Sequence, residues 1–350
     1  MRRIVLVVLL LNTCIGYAQM KPNTDLPYDP MPPYLEKITT FGQRCDWSHD
    51  GKHLIFLEKT FGDVYEVEVE TGILTPLTHH FFHEGFVRAL YLANGDILLS
   101  GAKTFDATEP WKSRSPDHAE LWVLKRDLSG PPTPLGVFCK EGPTCSRKQM
   151  KIAWTVDDIY MAEIVYKNDI PQLSEIDTLV KSENLPEPVT GWRLETQNFR
   201  PPFDDELIFN AHYPSIEYEA EVMGIDLKTR TIVNYTKRPD RYDEPEGIFP
   251  DGKYTLVESS RHHSKRGENN TTWDFIDLYK LALDGSGEME RLTFFNEGLE
   301  YKATNPVVRD DGRYMAFQYS IVGETTGIGH GILIWDFEKE KQYKKQHNEK

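Results

Sequence analysis

Cysteine is scarce, long apolar runs are rare and positive charge is in deficit, and each shortage removes a class of protein. The 4 cysteines among 350 residues form no C-x-x-C pair, which excludes thioredoxin-type chemistry and zinc ribbons. No G-x-S-x-G elbow offers a nucleophilic serine, and no H-E-x-x-H motif offers a zinc site. Gly327-Ile328-Gly329-His330-Gly331 matches neither a dinucleotide nor a phosphate loop. Basic residues number 40 against 55 acidic ones, a net charge of −15, so a phosphate backbone is repelled and nucleic acid is not an expected partner. The apolar run from Ile4 to Leu11 is too short to span a bilayer. The remaining composition, 39% hydrophobic and 27% charged with 12% aromatic residues, is that of a globular protein rich in strands.

The first segment reads as an address. Arg2 and Arg3 precede the apolar run, and Gly16-Tyr17-Ala18 supplies small residues where a signal peptidase cuts. Residues 1–18 are therefore expected to be a signal peptide, giving a periplasmic or secreted protein that begins at Gln19. A lipid anchor on Cys14 ranks second, because Asn12 and Thr13 fit that signal poorly. In an oxidising compartment Cys139 and Cys145 either close a local disulfide or stay as two buried thiols, and Cys45 has no mate.

After a Pro-rich stretch, residues 19–33, the chain falls into repeats. A strand-ending triplet recurs as Lys37-Ile38-Thr39, Pro76-Leu77-Thr78, Pro134-Leu135-Gly136, Arg193-Leu194-Glu195, Asn234-Tyr235-Thr236 and Arg291-Leu292-Thr293. Between triplets comes a fixed order of strand, turn, strand, loop and alternating strand. The first turn is the best marked. It reads Asp50-Gly51, Asn94-Gly95, Asp251-Gly252 and Asp311-Gly312 in four copies, where glycine supplies the positive φ of a tight hairpin. Six four-stranded units result, an all-β chain.

These residues resemble the TolB-like (WD-repeat-like) β-propeller repeat, also found in tricorn protease and more distantly in oligogalacturonate lyases. The resemblance covers residues 34–338 and implies a six-bladed β-propeller, followed by a charged tail, 339–350. The last unit ends at Ile332-Leu333-Ile334-Trp335 without a fourth strand, whereas Tyr34 to Thr39 is a fourth strand without the preceding three. The N-terminal strand is thus expected to complete the last blade and latch the circle.

Propeller topology, as the resemblance implies, gathers the linkers and the second-to-third-strand loops around one mouth of the central channel. Those segments supply the candidate site: Arg44, His83, Glu84, Glu141, His212, Glu244, Glu246, Arg261, His262, Glu297 and His330. A single glutamate in a linker is ordinarily solvated surface, but carboxylates crowded around one axis repel unless a cation or a basic partner offsets them. The expected function is an exported binding or interaction module, monomeric, recognising a peptide, protein or glycan at this funnel. The alternative is a metal-dependent polysaccharide lyase of oligogalacturonate type, with a divalent metal ion as cofactor. The chain departs from those lyases in having six units where they have seven, and in lacking their closely spaced metal-binding histidines, so their catalytic residues are not carried over.

Overall fold

The protein is described by a computed structural model covering residues 30–213, 219–238, 240–263, 275–298, 300–324 and 327–347. The expected signal peptide lies outside the described residues. The six units form six antiparallel sheets arranged as a six-bladed β-propeller. Their inner strands, in blade order, are Gln43–Trp47, Phe86–Tyr91, Thr144–Cys145, Arg193–Phe199, Asp243–Ile248 and Tyr301–Val308. In each blade the inner strand turns into the second, and in four of the six it does so through the Asp-Gly or Asn-Gly hairpin that the sequence marks. The turn glycines Gly51, Gly95, Gly252 and Gly312 all have positive φ, a backbone state that a side chain would strain.

Closure follows the latch. Leu35–Lys37 pairs antiparallel with Ile332–Asp336, Leu35 facing Trp335 and Lys37 facing Leu333. Tyr34 packs 4.7 Å from the Trp335 ring, and the chain after the last strand forms a helix, Phe337–His347. That helix returns Glu340 to accept the indole N–H of Trp335 at 3.0 Å.

The core is divided among the blades. Six apolar clusters lie one between each pair of neighbours, for example Leu57 and Val64 of the first blade against Phe86 and Leu99 of the second. Each fully buried Leu, Ile or Phe contributes about 1.5–3 kcal/mol, so the ring is held by its six interfaces and a missing edge weakens two of them. The recurring triplet also has a physical cause. The hydroxyls of Thr78, Thr236 and Thr293 each accept an amide near the start of the third strand, from Val64, Val222 and Leu278 at 2.9–3.0 Å. Each also donates to an acid that opens that strand: Asp63, Glu221 and Asp277.

Two expectations are corrected. Arg193-Leu194-Glu195 does not end an outer strand; it opens the inner strand of the fourth blade. The third blade instead has a nine-residue third strand, Ile159–Lys167, whose length accommodates two short partners, Ile170–Leu173 and Asp177–Val180. Arg44, Glu244 and Glu246, placed in linkers by the repeat pattern, lie within inner strands. Cys45, Cys139 and Cys145 are free thiols, so of the two readings for Cys139 and Cys145 the structure has the thiols.

Candidate functional site

Five of the six inner strands slip register against their second strands at nearly the same level. The slips fall between Gln43 and Asp46, Phe86 and Arg88, Thr196 and Asn198, Pro245 and Gly247, and Thr304 and Val307. A bulge adds one unpaired residue and re-aims its side chain. Arg44, Gln197, Glu246 and Asn305 stand within the slips and Arg88 at the edge of one, with Arg44 and Asn305 at φ 51° and 50°. In the third blade Glu141, at φ 61°, turns the chain just before its short inner strand. The bulges ring one end of the channel, where a cavity of about 520 Å³ opens.

Its lining brings together five of the expected residues, Arg44, Glu141, His212, Glu244 and Glu246. Glu246 accepts from Asn305 Nδ2 at 2.8 Å and stands 3.6 Å from Arg88 Nη2. Glu244 accepts from Tyr242, from Asn210 Nδ2 at 3.2 Å and from Gln197 Nε2 at 3.3 Å. His212 Nε2 lies 3.4 Å from Glu195 Oε2 and 3.8 Å from Glu244 Oε1. Arg114 pairs with Glu141. Against this density of bonds, Arg44 Nη1, Thr304 Oγ1 and His212 Nδ1 are shut from solvent without a hydrogen-bond partner, each a cost of about 1–3 kcal/mol that a ligand can relieve.

The carboxylates differ sharply in proton affinity. Burial, then Glu195 and Glu246, holds Glu244 well above the usual carboxylate range. Burial also raises Glu246, with Arg88 and Arg44 opposing, and pushes Glu258 up to about 8, aided by Glu246. Burial works the same way on Glu195, but His212 and Arg193 outweigh it and hold that carboxylate below its ordinary range. His212 is pushed down to about 4, by burial and then by Arg193, so it is neutral at pH 7. Arg44 is lowered by burial and by Arg88, and the glutamates oppose this.

The other six expected residues sit elsewhere. Arg261 forms a bidentate pair with buried Asp243, and His262 stands 3.3 Å from Asn296 and 3.5 Å from Asp277; both tie strands of the fifth blade. His83 and Glu84 line a separate pocket of about 340 Å³ between the first two blades. There His83 uses both ring nitrogens, Nε2 toward Asp63 at 3.0 Å and Nδ1 accepting from the Gly85 amide at 2.9 Å. Glu297 is 65% exposed beside Arg291, and His330 pairs with Glu324 at the rim. The repeat pattern left Arg88, Arg114, Arg193, Tyr242, Glu258 and Thr304 outside the candidate set. One signal was available: Arg44, Arg88 and Asn305 each stand seven residues before a turn glycine, Gly51, Gly95 or Gly312. Trp111 carried no such signal. It is 64% exposed on a single helical turn, Pro110–Arg114, that brings it to the cavity mouth.

No protein-family model and no curated protein matches the chain. Solved structures do. An oligogalacturonate lyase in complex with manganese is similar at 10% identity and a TM-score of 0.52, over 84% of this chain and 77% of that one. An oligogalacturonate lyase from Vibrio parahaemolyticus is similar at 10% identity and a TM-score of 0.50, over 85% and 79%. TolB from Acinetobacter baumannii aligns at 14% identity and a TM-score of 0.40, over 79% and 67%. At these identities the likeness is one of fold.

Proposed function

We propose that the protein is an exported binding module whose funnel takes a ligand carrying an anionic group, either a carboxylate of a glycan or that of a peptide. One observation carries this reading: Arg44 lines the 520 Å³ cavity, and its guanidinium Nη1 is buried and unpartnered. A buried cationic donor left unmade is costly, and an anion that it can reach recovers that cost through a charge-assisted bond. Thr304 Oγ1, also unpartnered in the same cavity, adds a neutral contact. Exposed Trp111 at the mouth offers a flat apolar face to a sugar ring or a side chain.

A polysaccharide lyase is the second reading, favoured by Glu258. Elimination beside a carboxylate needs a base near neutral pKa and a cation facing the substrate's charge. Glu258, raised to about 8, and Arg44 line the same cavity. The test is calorimetric titration of mature protein with trigalacturonate and with a short peptide bearing a free C-terminus, repeated on Arg44→Met. Binding of either probe, weakened at least tenfold in the variant at an unchanged melting temperature, is expected. Equal binding in the variant, or no binding of either probe, overturns the anion reading. Appearance of an unsaturated product absorbing in the ultraviolet moves the assignment to the lyase.

A further inference from the structure

The geometry points to a divalent-cation site in the wall of the funnel, formed by Glu195, His212 and Glu244. It stands apart from the anion reading, since a metal ion can be measured with no organic ligand present. The three residues offer ligand atoms that all lie within 4.8 Å of one another, and all three side chains are buried. His212 Nε2 is 3.4 Å from Glu195 Oε2 and 3.8 Å from Glu244 Oε1. A cation at about 2.0–2.3 Å from nitrogen and oxygen ligands needs those ligands roughly 3–4.5 Å apart, so both histidine–carboxylate separations fit, and the carboxylate–carboxylate one, at no more than 4.8 Å, needs at most a small side-chain shift.

The supports are rigid. Glu195 is on the inner strand of the fourth blade, His212 ends its second strand, and Glu244 is on the inner strand of the fifth. Sites on strands hold their geometry better than sites on loops. Asn210 faces the same nitrogen. Its Oδ1 accepts from Gln197 Nε2 at 3.2 Å, which directs its Nδ2 to Glu244 Oε1 and to His212 Nε2. In the tautomer that accepts from Asn210, the ring proton is on Nδ1 and Nε2 presents a lone pair. Three electron-pair donors therefore converge on one space. A bound cation takes the Nε2 lone pair from Asn210, whose Nδ2 keeps its second bond to Glu244. Arg193 Nη1 reaches Glu195 Oε2 only at 3.4 Å, the outer limit of a hydrogen bond, and leaves that oxygen able to ligate.

One imidazole nitrogen with two carboxylate oxygens suits Mn²⁺ or Zn²⁺ better than Ca²⁺ or Mg²⁺. All three residues line the cavity, so the remaining coordination positions face the space where water or a ligand enters. The tests are calorimetric titrations of EDTA-stripped mature protein with Mn²⁺ and, separately, Zn²⁺, and pulsed electron paramagnetic resonance of the Mn²⁺ form. Stoichiometric binding of at least one ion is expected, with nitrogen coupling from His212 in the Mn²⁺ spectrum. Glu195→Gln and Glu244→Gln should each weaken binding at least tenfold, and Glu297→Gln should leave it unchanged. Where a variant fails to fold, the nitrogen coupling of the unaltered protein decides. Absence of binding to both ions, Mn²⁺ binding without nitrogen coupling, or equal affinity in the folded glutamine variants overturns the site. Anion titration in EDTA fails or succeeds independently of these outcomes.

Discussion

The two ends of the channel use the same inner strands and treat charge in opposite ways. At the hairpin end, Arg147 of the third blade crosses the ring to Asp310 of the sixth, Nε to Oδ1 at 2.9 Å and Nη2 to Oδ2 at 3.1 Å, and approaches Asp46 of the first at 3.4 Å. His49 adds a contact to Asp310 at 3.5 Å, which raises the imidazole's proton affinity. Asp310, although burial opposes it, is held below its ordinary range by His49 and Arg147. Charge there is matched within the fold. At the funnel end, burial and mutual crowding raise the proton affinity of Glu244, Glu246 and Glu258, while Arg44 and Thr304 keep atoms without partners. Matched buried charge braces a ring, and unmatched polar groups mark where something else binds.

The largest expected effect removes the ring on which both ends depend. Deleting residues 19–40 strips the edge from Ile332–Asp336, exposing an unpaired strand. Aggregation or loss of a cooperative melt is expected; a melt like that of the full mature protein would refute the latch. Next is Arg147→Met, which leaves Asp46 buried without its cation. A loss of about 2–3 kcal/mol is expected, discounted for the partial exposure of Asp310, with funnel binding unchanged. If urea melts and ligand titrations shift together, the two ends are not independent.

Smaller effects test the funnel itself. Exchanging Glu244 and Glu246 together for Gln should change stability by no more than about 1 kcal/mol, since burial raises the proton affinity of both and an amide keeps the shape of the neutral carboxyl. Ligand or metal affinity should change more, and unchanged affinity with a sharply lowered melting temperature would make these residues structural. Glu258 gives a pH signature. Its proton is held more tightly in the folded chain, near 8 against an ordinary 4.5. Its contribution to stability is complete below pH 4.5 and is lost as pH rises through about 8. The melting temperature of Glu258→Gln, relative to the unaltered protein, should therefore improve across that window; a constant difference would show that Glu258 titrates normally. Glu297→Gln should move stability by less than about 0.5 kcal/mol and binding not at all, because its side chain is mostly in water.

How legible each level was depends on how local its cause is. The hairpin glycines and the threonine that follows four of the outer strands act within one blade, so their spacing reported the units and the latch correctly. The triplet at Arg193-Leu194-Glu195 misled because leucine between polar residues fits the start of an inner strand as well as the end of an outer one. It also lacks the threonine that gives four of the other five copies their hydrogen bond. Arg261 and His262 were placed on the right blade, yet their charge is spent on Asp243 and Asp277, partners that a one-dimensional pattern does not pair with them. Arg88 was overlooked although it shares its distance from the turn glycine with Arg44 and Asn305.

The sequence by itself determined the six blades, the position of four inner hairpins and the strand that closes the ring, because hydrogen-bonded turns and alternating burial are properties of neighbouring residues. Which side chains meet was decided by the tertiary structure. Glu195 and His212 reach Glu244 from the next blade only because register slips and the packing between blades set their heights and directions around the axis. Those depend on contacts between residues tens of positions apart, and a bulge leaves almost the same composition behind whether or not it forms.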